Sequence, residues 1–308
     1  MKKFLFLLIA AVILFASCSA SVDDEASYQA QVDADFAKVL EKIDTDEALS
    51  AMLAFDKKYG TNITEEFGIG IYQSRSGGKG SSDYPPLTDL PFVTDGAVYL
   101  SGGAGDLVGT VVDWASPHTH AGGYYHGAVL DLDDLSDPNN EDAPCMQTAI
   151  SSGAGYESRT DWRSKVNVCV LNPNFTVNQT KLNQAQAQTD IICNLEDQAY
   201  GFFENMVNVL SYVKKSDMYW WYCTKVVWKM YDYYGINIDS NSPLVDFTQC
   251  GAYKLVKAYY TARHPFSSSK RNAAINAYLA ECKDEIIVAE EIMFSPYFTK
   301  VWERIREN

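Results

Sequence analysis

Cys223 opens a segment whose residue types and spacing could support nucleophilic catalysis. In the run Cys-Thr-Lys-Val-Val-Trp-Lys-Met-Tyr, apolar side chains follow the cysteine by three, four and seven positions, the spacing of one helix face. A thiol in the first turn of a helix lies near unpaired backbone N–H groups, and the positive end of the helix dipole favours the thiolate. The same N–H groups could bind a developing oxyanion. Cys223 is therefore a candidate nucleophile.

His126 is the candidate base for that thiol. It begins the run His-Gly-Ala-Val-Leu-Asp-Leu, in which strand alternation would place the imidazole on the same face as Ala128 and Leu130. An imidazole within reach of a thiol can form a thiolate–imidazolium pair, and a third polar group would hold the ring in its working tautomer. A cysteine on an apolar helix face is more often a small core residue, so neither segment identifies a site by itself.

The elements that must position these two residues change character along the chain. Runs of strand length come first, and amphipathic runs of helix length follow. Strands followed by helices predict an α+β fold rather than alternating βαβ units. The predicted strands are Asp106–Val112, His126–Leu132, Met146–Ile150 and Val166–Leu171, and the predicted helices are Asn183–Val213, Cys223–Tyr234, Tyr253–Ala262 and Asn272–Cys282.

Composition excludes several classes of fold and partner. The chain has 308 residues, of which 47% are hydrophobic, so it can bury a sizeable core and is not intrinsically disordered. Its 40 acidic residues outnumber its 25 basic ones, which gives a formal net charge of -15. A chain of this charge is poorly suited to bind a phosphate backbone or an anionic bilayer surface. We therefore expect no nucleic-acid partner.

The N-terminus has the features of an export signal. Lys2 and Lys3 precede an apolar stretch over residues 4–16, which is shorter than the roughly 20 residues that a membrane-spanning helix needs. The small residues before Cys18 resemble a bacterial lipobox, although Phe15 stands where leucine is usual. We predict a lipoprotein signal peptide over residues 1–18, lipidation of Cys18, and a lipid-anchored protein of the bacterial envelope, on the outer membrane or facing the periplasm. Ordinary secretion is the alternative.

Two further regions follow the signal peptide. Residues 19–90 are predicted to form a tether, a helical extension and a linker, with two short helices between Tyr28 and Tyr59. The segment Ser74–Pro86, rich in Gly, Ser and Pro, is the clearest linker. The main domain is then predicted over residues 95–308.

Taken in order, the motifs of this domain resemble those of the circularly permuted papain-like amidases. This is the YiiX and YaeF group, related to NlpC-type cell-wall peptidases and to lecithin retinol acyltransferase. Four features carry the resemblance, which spans roughly residues 104–302: Gly105–Val108, the strand opened by His126, the helix after Cys223, and a closing segment over Glu285–Ile292 and Ser295–Phe298 in which a strand runs into an acidic turn. In that family the histidine precedes the cysteine.

The resemblance implies a fold and a site. The fold would be an α+β, circularly permuted papain-like (NlpC-type) fold with a small antiparallel sheet packed against helices. Cys223 would be the nucleophile and His126 the base. The third polar residue of the family, often a glutamate, lies on the strand after the histidine strand, where this chain has Gln147 and Thr148. Neither is a carboxylate, so activity is open to question.

The predicted function is that of an envelope cysteine hydrolase. It would cleave an amide, in a peptidoglycan peptide or another small amide or acyl substrate, through an acyl-enzyme on Cys223, with no cofactor. Trp221, Tyr222 and Tyr125 are predicted to line the substrate cleft. One alternative is a catalytically inactive lipoprotein that uses the cleft to bind a ligand or partner. A second is an ester or lipid acyl hydrolase, or an acyltransferase.

Three other sets of residues are candidates for metal or disulfide chemistry. His118 and His120 could bind zinc or copper with Asp113 or Asp131, but a solvent-facing loop is the preferred interpretation, and no metal site is predicted. The acidic residues between Asp131 and Asp142 fit no EF-hand spacing. Five cysteines remain, which allows at most two disulfides among them: Cys145, Cys169, Cys193, Cys250 and Cys282.

Overall fold

The computed structural model describes residues 24–43, 45, 47–67, 84–103, 115–133, 137, 139–203 and 208–306. The signal peptide with Cys18, most of the Gly/Ser-rich linker and the predicted strand Asp106–Val112 lie outside these residues.

A six-stranded antiparallel sheet forms the centre of the fold, in the order β4-β3-β2-β1-β5-β8. Its strands are β1 Val98–Gly102, β2 Tyr124–Leu130, β3 Pro144–Ile150, β4 Gly153–Ser158, β5 Asn167–Pro173 and β8 Phe298–Arg304. A short parallel pair, β6 Ala199–Tyr200 and β7 Trp220–Trp221, lies apart from it. The sheet confirms the α+β class.

Most helices lie before the first strand or between β5 and β8 in sequence, and one short helix separates β4 from β5. The described helices are α1 (24–42), α2 Ala48–Tyr59, α3 Ile63–Phe67, α4 Arg159–Ser164, α5 Gln179–Cys193, α6 Cys223–Tyr234, a 3₁₀ turn Phe247–Gln249, α7 Gly251–Arg263, α8 Ser268–Glu285 and α9 Ala289–Met293. In the described part of the chain, no helix has both the length and the apolarity to cross a membrane.

Helix α6 has the bounds predicted from the sequence, Cys223–Tyr234. Its apolar stripe is buried, and it ends at Gly235, whose φ of 89° is left-handed and favours glycine. The predicted long helix Asn183–Val213 is wrong. The helix there, α5, ends at Cys193, and the chain continues through the short strand β6. Beyond it, Phe202, Phe203, Val209, Tyr212 and Val213 are buried, but none of them lies in a helix.

The closing segment also differs from the prediction. Helix α8 runs to Glu285, and residues 286–288, of which Ile286 and Val288 are extended, belong to no strand. The strand of this region is β8, which pairs with β5. The acidic turn is the helix α9, in which Glu290 and Glu291 are buried.

Side chains pack on both faces of the sheet. Val98, Leu100 and Val129 belong to the larger core shared with the helices, whereas Tyr99 and Leu130 belong to a smaller core on the other face. Helix α6 lies close to β2: a Cβ atom added at Gly127 would be 3.3 Å from the Thr224 methyl group. The absence of a side chain at Gly127 therefore lets the cysteine helix approach the histidine strand.

The N-terminal helices are packed against the main domain. The Phe36 ring contacts the rings of Phe55 and Tyr259, at centroid distances of 5.5 and 4.8 Å. The Tyr259 hydroxyl donates a 2.8 Å hydrogen bond to Asp33, and the Tyr28 hydroxyl bonds the backbone of helix α7. The predicted helical extension thus contributes to the same core as the sheet.

All six described cysteines are free thiols, so none of the disulfides that the count allowed is present among them. Burial raises the pKa of the Cys145 thiol to about 11 and that of Cys193 to about 12. These thiols are protonated at neutral pH and pack as small apolar groups.

Candidate active site

Cys223 is the first residue of α6, where backbone N–H groups are unpaired. Tyr222 caps the helix in an extended conformation without a side-chain hydrogen bond, and its carbonyl accepts from the N–H groups of Lys225 and Val226. The N–H groups of Cys223 and Thr224 cannot bond within the helix. Among the described residues, neither makes a backbone hydrogen bond elsewhere. They are suitably placed donors for an oxyanion.

Neighbouring side chains hold this helix end in place. The Thr224 hydroxyl donates a 2.7 Å hydrogen bond to the carbonyl of Ile287. The buried Lys225 ammonium donates to the carbonyl of Trp220 at 2.8 Å and also to that of Asp217. Burial lowers the pKa of Lys225 to about 8, against the attraction of Asp217. The lysine therefore ties the preceding turn to the first turn of α6.

His126 pairs with a carboxylate that the sequence did not reveal. Its Nε2 atom lies 2.7 Å from Oε2 of Glu157 on β4. Met146 on the intervening strand β3 pairs with both Leu130 and Glu157, and paired residues of antiparallel strands share a sheet face. Because His126 and Leu130 lie on the same face of β2, strand register places the imidazole and the carboxylate on one side of the sheet.

Electrostatics favour a charged imidazole at this position. Burial is the largest influence on the pKa of His126 and lowers it, but Glu157 and Cys223 outweigh burial and raise that pKa to about 9. Cys223 lies next to this strand position, since its sulfur makes a 3.7 Å contact with the carbonyl of Tyr125, the residue before His126. With Nε2 facing Glu157, Nδ1 is the nitrogen left for the thiol.

Glu157 is ionised despite its burial. Burial alone would raise its pKa, but His126 and Lys165 hold the pKa of this carboxyl well below its usual range. Lys165 contributes through its ammonium, which lies 2.6 Å from Oε1 of Glu157. At neutral pH the arrangement is therefore an imidazolium and an ammonium that share one carboxylate, with the sulfur of Cys223 at the neighbouring start of α6.

The prediction of Thr148 or Gln147 as the orienting residue is corrected by these contacts. The Thr148 hydroxyl donates a 2.6 Å hydrogen bond to the carbonyl of Gly127, and the Gln147 amide donates to Asp190 at 2.7 Å. Both side chains are buried among other partners. The carboxylate next to His126 is Glu157, on strand β4, which the motifs did not predict. The Ser-Ser-Gly turn after Ile150 was its sequence signal.

The aromatic residues proposed to line a cleft are mainly core residues. Trp221 and Tyr222 are fully buried, and the Tyr222 ring packs on Phe202 at a centroid distance of 4.7 Å. Only Tyr125 is half-buried, with its hydroxyl bonded to the carbonyl of Gly103. Trp221 belongs to the short strand β7, and Tyr222 directly precedes helix α6. Both rings are part of the larger core.

The histidine-containing loop is held by protein contacts. The backbone N–H groups of Thr119 and His120 donate to the buried carboxylate of Glu290, at 3.0 and 2.9 Å. The His120 ring stacks on Tyr124 and accepts a hydrogen bond from the Gly122 N–H. Within the described residues, no group of three or more His, Cys, Asp or Glu side chains could hold a metal ion. Asp113 lies outside those residues.

Comparison with known proteins gives little support for a family. No protein-family profile matches the chain, and no curated protein matches it in sequence. One solved structure, that of the metalloprotein YiiX from Escherichia coli O157:H7, aligns with 70% of this chain and 99% of its own, at 13% identity and a TM-score of 0.39. This is a weak likeness, from which neither a shared topology nor shared chemistry follows.

Proposed function

We propose that this protein is a cysteine hydrolase with Cys223 as nucleophile, His126 as acid and base, and Glu157 as the residue that orients the imidazole. The observation that carries the proposal is the meeting of three elements at one point: the unpaired start of α6, the histidine of β2 and the carboxylate of β4. Each supplies one part of the machinery that acyl transfer requires.

The proposed reaction proceeds in two steps. The Cys223 thiolate attacks the substrate carbonyl, and the oxyanion binds the N–H groups at the start of α6. The His126 imidazolium then protonates the leaving amine, and the C–N bond breaks to leave a thioester. In the second step, neutral His126 takes a proton from water as the water attacks the thioester. The carboxylic acid leaves and the Cys223 sulfur is released.

The proposed substrate is an amide of the bacterial cell envelope, such as a peptidoglycan peptide. The export signal and Cys18 lipobox predicted from the sequence support this location, and the order of motifs supports a circularly permuted papain-like fold with amidase chemistry. An acyl ester or lipid is the second substrate class, because the same thioester chemistry accepts an alcohol as leaving group.

A second candidate function is binding without catalysis, and one observation favours it. The Cys223 residue is only 1% exposed, and the two aromatic residues before it are fully buried. A substrate carbonyl must reach the sulfur for the hydrolase to work. If it cannot, the charged pair of His126 and Glu157 would serve to stabilise the fold or a bound ligand.

Covalent trapping separates the two candidates. Purified full-length protein is incubated with muropeptides, acyl esters and an acyl-electrophile probe, and acylation is located by mass spectrometry of tryptic peptides. The hydrolase predicts label at Cys223, substrate turnover, and loss of both in Cys223→Ala. Cys145→Ala is the matched control, because that thiol is also buried and its raised pKa keeps it protonated at neutral pH. Folded wild-type protein that gives neither label nor turnover would overturn the hydrolase proposal and support the binding function.

A further inference from the structure

We infer that Trp162 and Lys165 form a positioning pair for His126. The indole of Trp162 holds the plane of the imidazole, and the ammonium of Lys165 weakens the attraction between Glu157 and the His126 imidazolium. The catalytic consequence rests on the proposed hydrolase function. The effect on the histidine itself does not, and it can be measured separately.

Trp162 provides the surface on which the imidazole lies. The two ring centroids are 5.4 Å apart and the planes differ by 19°, so the rings are stacked. Trp162 is fully buried and also contacts the edge of Tyr99. Its indole N–H has no hydrogen-bond partner among the described residues, so ring packing determines its orientation. An aromatic face beneath an imidazolium also stabilises its positive charge.

Lys165 is placed by the same short helix. Helix α4 begins directly after β4 with a capping box between Ser158 and Asp161, and Lys165 caps its C-terminal end. The ammonium lies 2.6 Å from Glu157 and 5.6 Å from the centroid of the Trp162 ring. One continuous segment, residues 157–165, thus supplies the carboxylate, the stacking ring and the second cation.

Two cations on one carboxylate weaken each other's hold. His126 bonds Oε2 of Glu157 and Lys165 bonds Oε1, so the lysine offsets part of the negative charge felt by the imidazolium. The groups that face His126 are Glu157 from β4, Cys223 from α6, and Trp162 and Lys165 from α4 and its end. Of these, only Lys165 repels the imidazolium, and it lowers the pKa of His126. This matters for catalysis because an imidazolium bound too tightly is slow to protonate a leaving amine.

The test is a histidine titration with charge-matched variants. The protein is labelled with ¹³C-histidine, the His126 signal is assigned with His126→Gln, and its pKa is measured in wild type, Lys165→Met and Lys165→Arg. We expect Lys165→Met to raise the pKa of His126 by about one pH unit and Lys165→Arg to restore the wild-type value. Lys38→Met removes the same charge from an exposed ion pair on α1 and is expected to change nothing.

Turnover provides the second readout. In Lys165→Met, the alkaline limb of the pH profile of kcat is expected to shift to higher pH, together with the pKa of His126. At neutral pH, kcat is expected to fall with little change in KM. An unchanged or lowered pKa of His126 in folded Lys165→Met, or an arginine variant that behaves like the methionine variant, would overturn the inference. If wild type turns over no substrate, the hydrolase proposal fails, whereas the titration still decides the role of Lys165.

The stacking role of Trp162 has its own variant pair. Trp162→Phe keeps an aromatic face and is expected to keep the upfield ring-current shift of the His126 ring protons, whereas Trp162→Leu is expected to lose it. Equal His126 signals in folded leucine and phenylalanine variants would contradict the stacking role.

Discussion

Replacing Glu157 with glutamine removes the negative charge beside His126 while keeping a side chain of the same shape that can still accept a hydrogen bond. Burial then acts on the imidazole without a carboxylate to oppose it, and Lys165 still repels the positive charge. The pKa of His126 is about 9 in the wild type, and we expect it to fall to the ordinary value near 6.5 or below. His126 would be largely neutral at pH 8.

The expected fall in the pKa of His126 sets the size of the stability difference. A fall of roughly two pKa units corresponds to about 3 kcal/mol at roughly 1.36 kcal/mol per unit. Because the pKa of His126 is raised in the folded state, its stabilisation is fully present below the unfolded value near 6.5 and is lost as pH rises through about 9. The difference in unfolding free energy between wild type and Glu157→Gln should therefore be about 3 kcal/mol near pH 6, decline as pH rises above about 6.5, and be nearly absent above about pH 9.

Two measurements check this prediction. NMR titration of ¹³C-histidine gives the pKa of His126, and urea unfolding between pH 6 and pH 10 gives the stability difference. Glu303→Gln is the matched control, since that carboxylate lies 3.7 Å from a different histidine, His120. A His126 titration that is the same in Glu157→Gln and wild type would refute the reasoning, because it would show that the carboxylate does not control the imidazole.

Three further variants test how the fold supports the site. Phe36→Ala should lower the free energy of unfolding in urea by about 3–5 kcal/mol, because the ring is buried between Phe55 and Tyr259; a loss below about 1 kcal/mol would show that the N-terminal helices fold apart from the core. Gly235→Ala should cost about 1–2 kcal/mol in thermal melts, since φ is 89° at the end of α6, and an unchanged melting temperature would contradict that conformation. Ser158→Ala should cost about 1 kcal/mol through loss of the α4 cap, with Ser164→Ala as control, and equal stability of the two variants would count against the capping role.

Local pattern was enough to predict the elements that carry the nucleophile and the base. The helix from Cys223 to Tyr234 has a continuous apolar stripe and a glycine stop, and the run that contains His126 is mostly apolar and of strand length. Both signals lie within one element, so they do not depend on the rest of the fold. The α+β class followed from the order of such elements.

Glu157 could not be found in the same way. Its strand reads Gly-Ala-Gly-Tyr-Glu-Ser, which is too poor in apolar and β-branched residues to indicate a strand by itself. Pairing with β3 creates β4, and that pairing brings the carboxylate to His126. Trp221 and Tyr222 were predicted to line a cleft, but both are buried in the core. Aromatic residues next to a candidate nucleophile are compatible with either location, so sequence alone does not distinguish them.

The hairpin between β3 and β4 restricts which changes of chain length the protein can accept. Ile150 pairs with Gly153 across a turn of only Ser151 and Ser152, and the register set there continues without a shift to the pair of Met146 and Glu157. Side chains alternate with a period of two, so a single-residue insertion within β4 before Glu157 would turn that carboxylate to the opposite face of the sheet. Over evolutionary time, insertions and deletions should therefore be excluded from this strand.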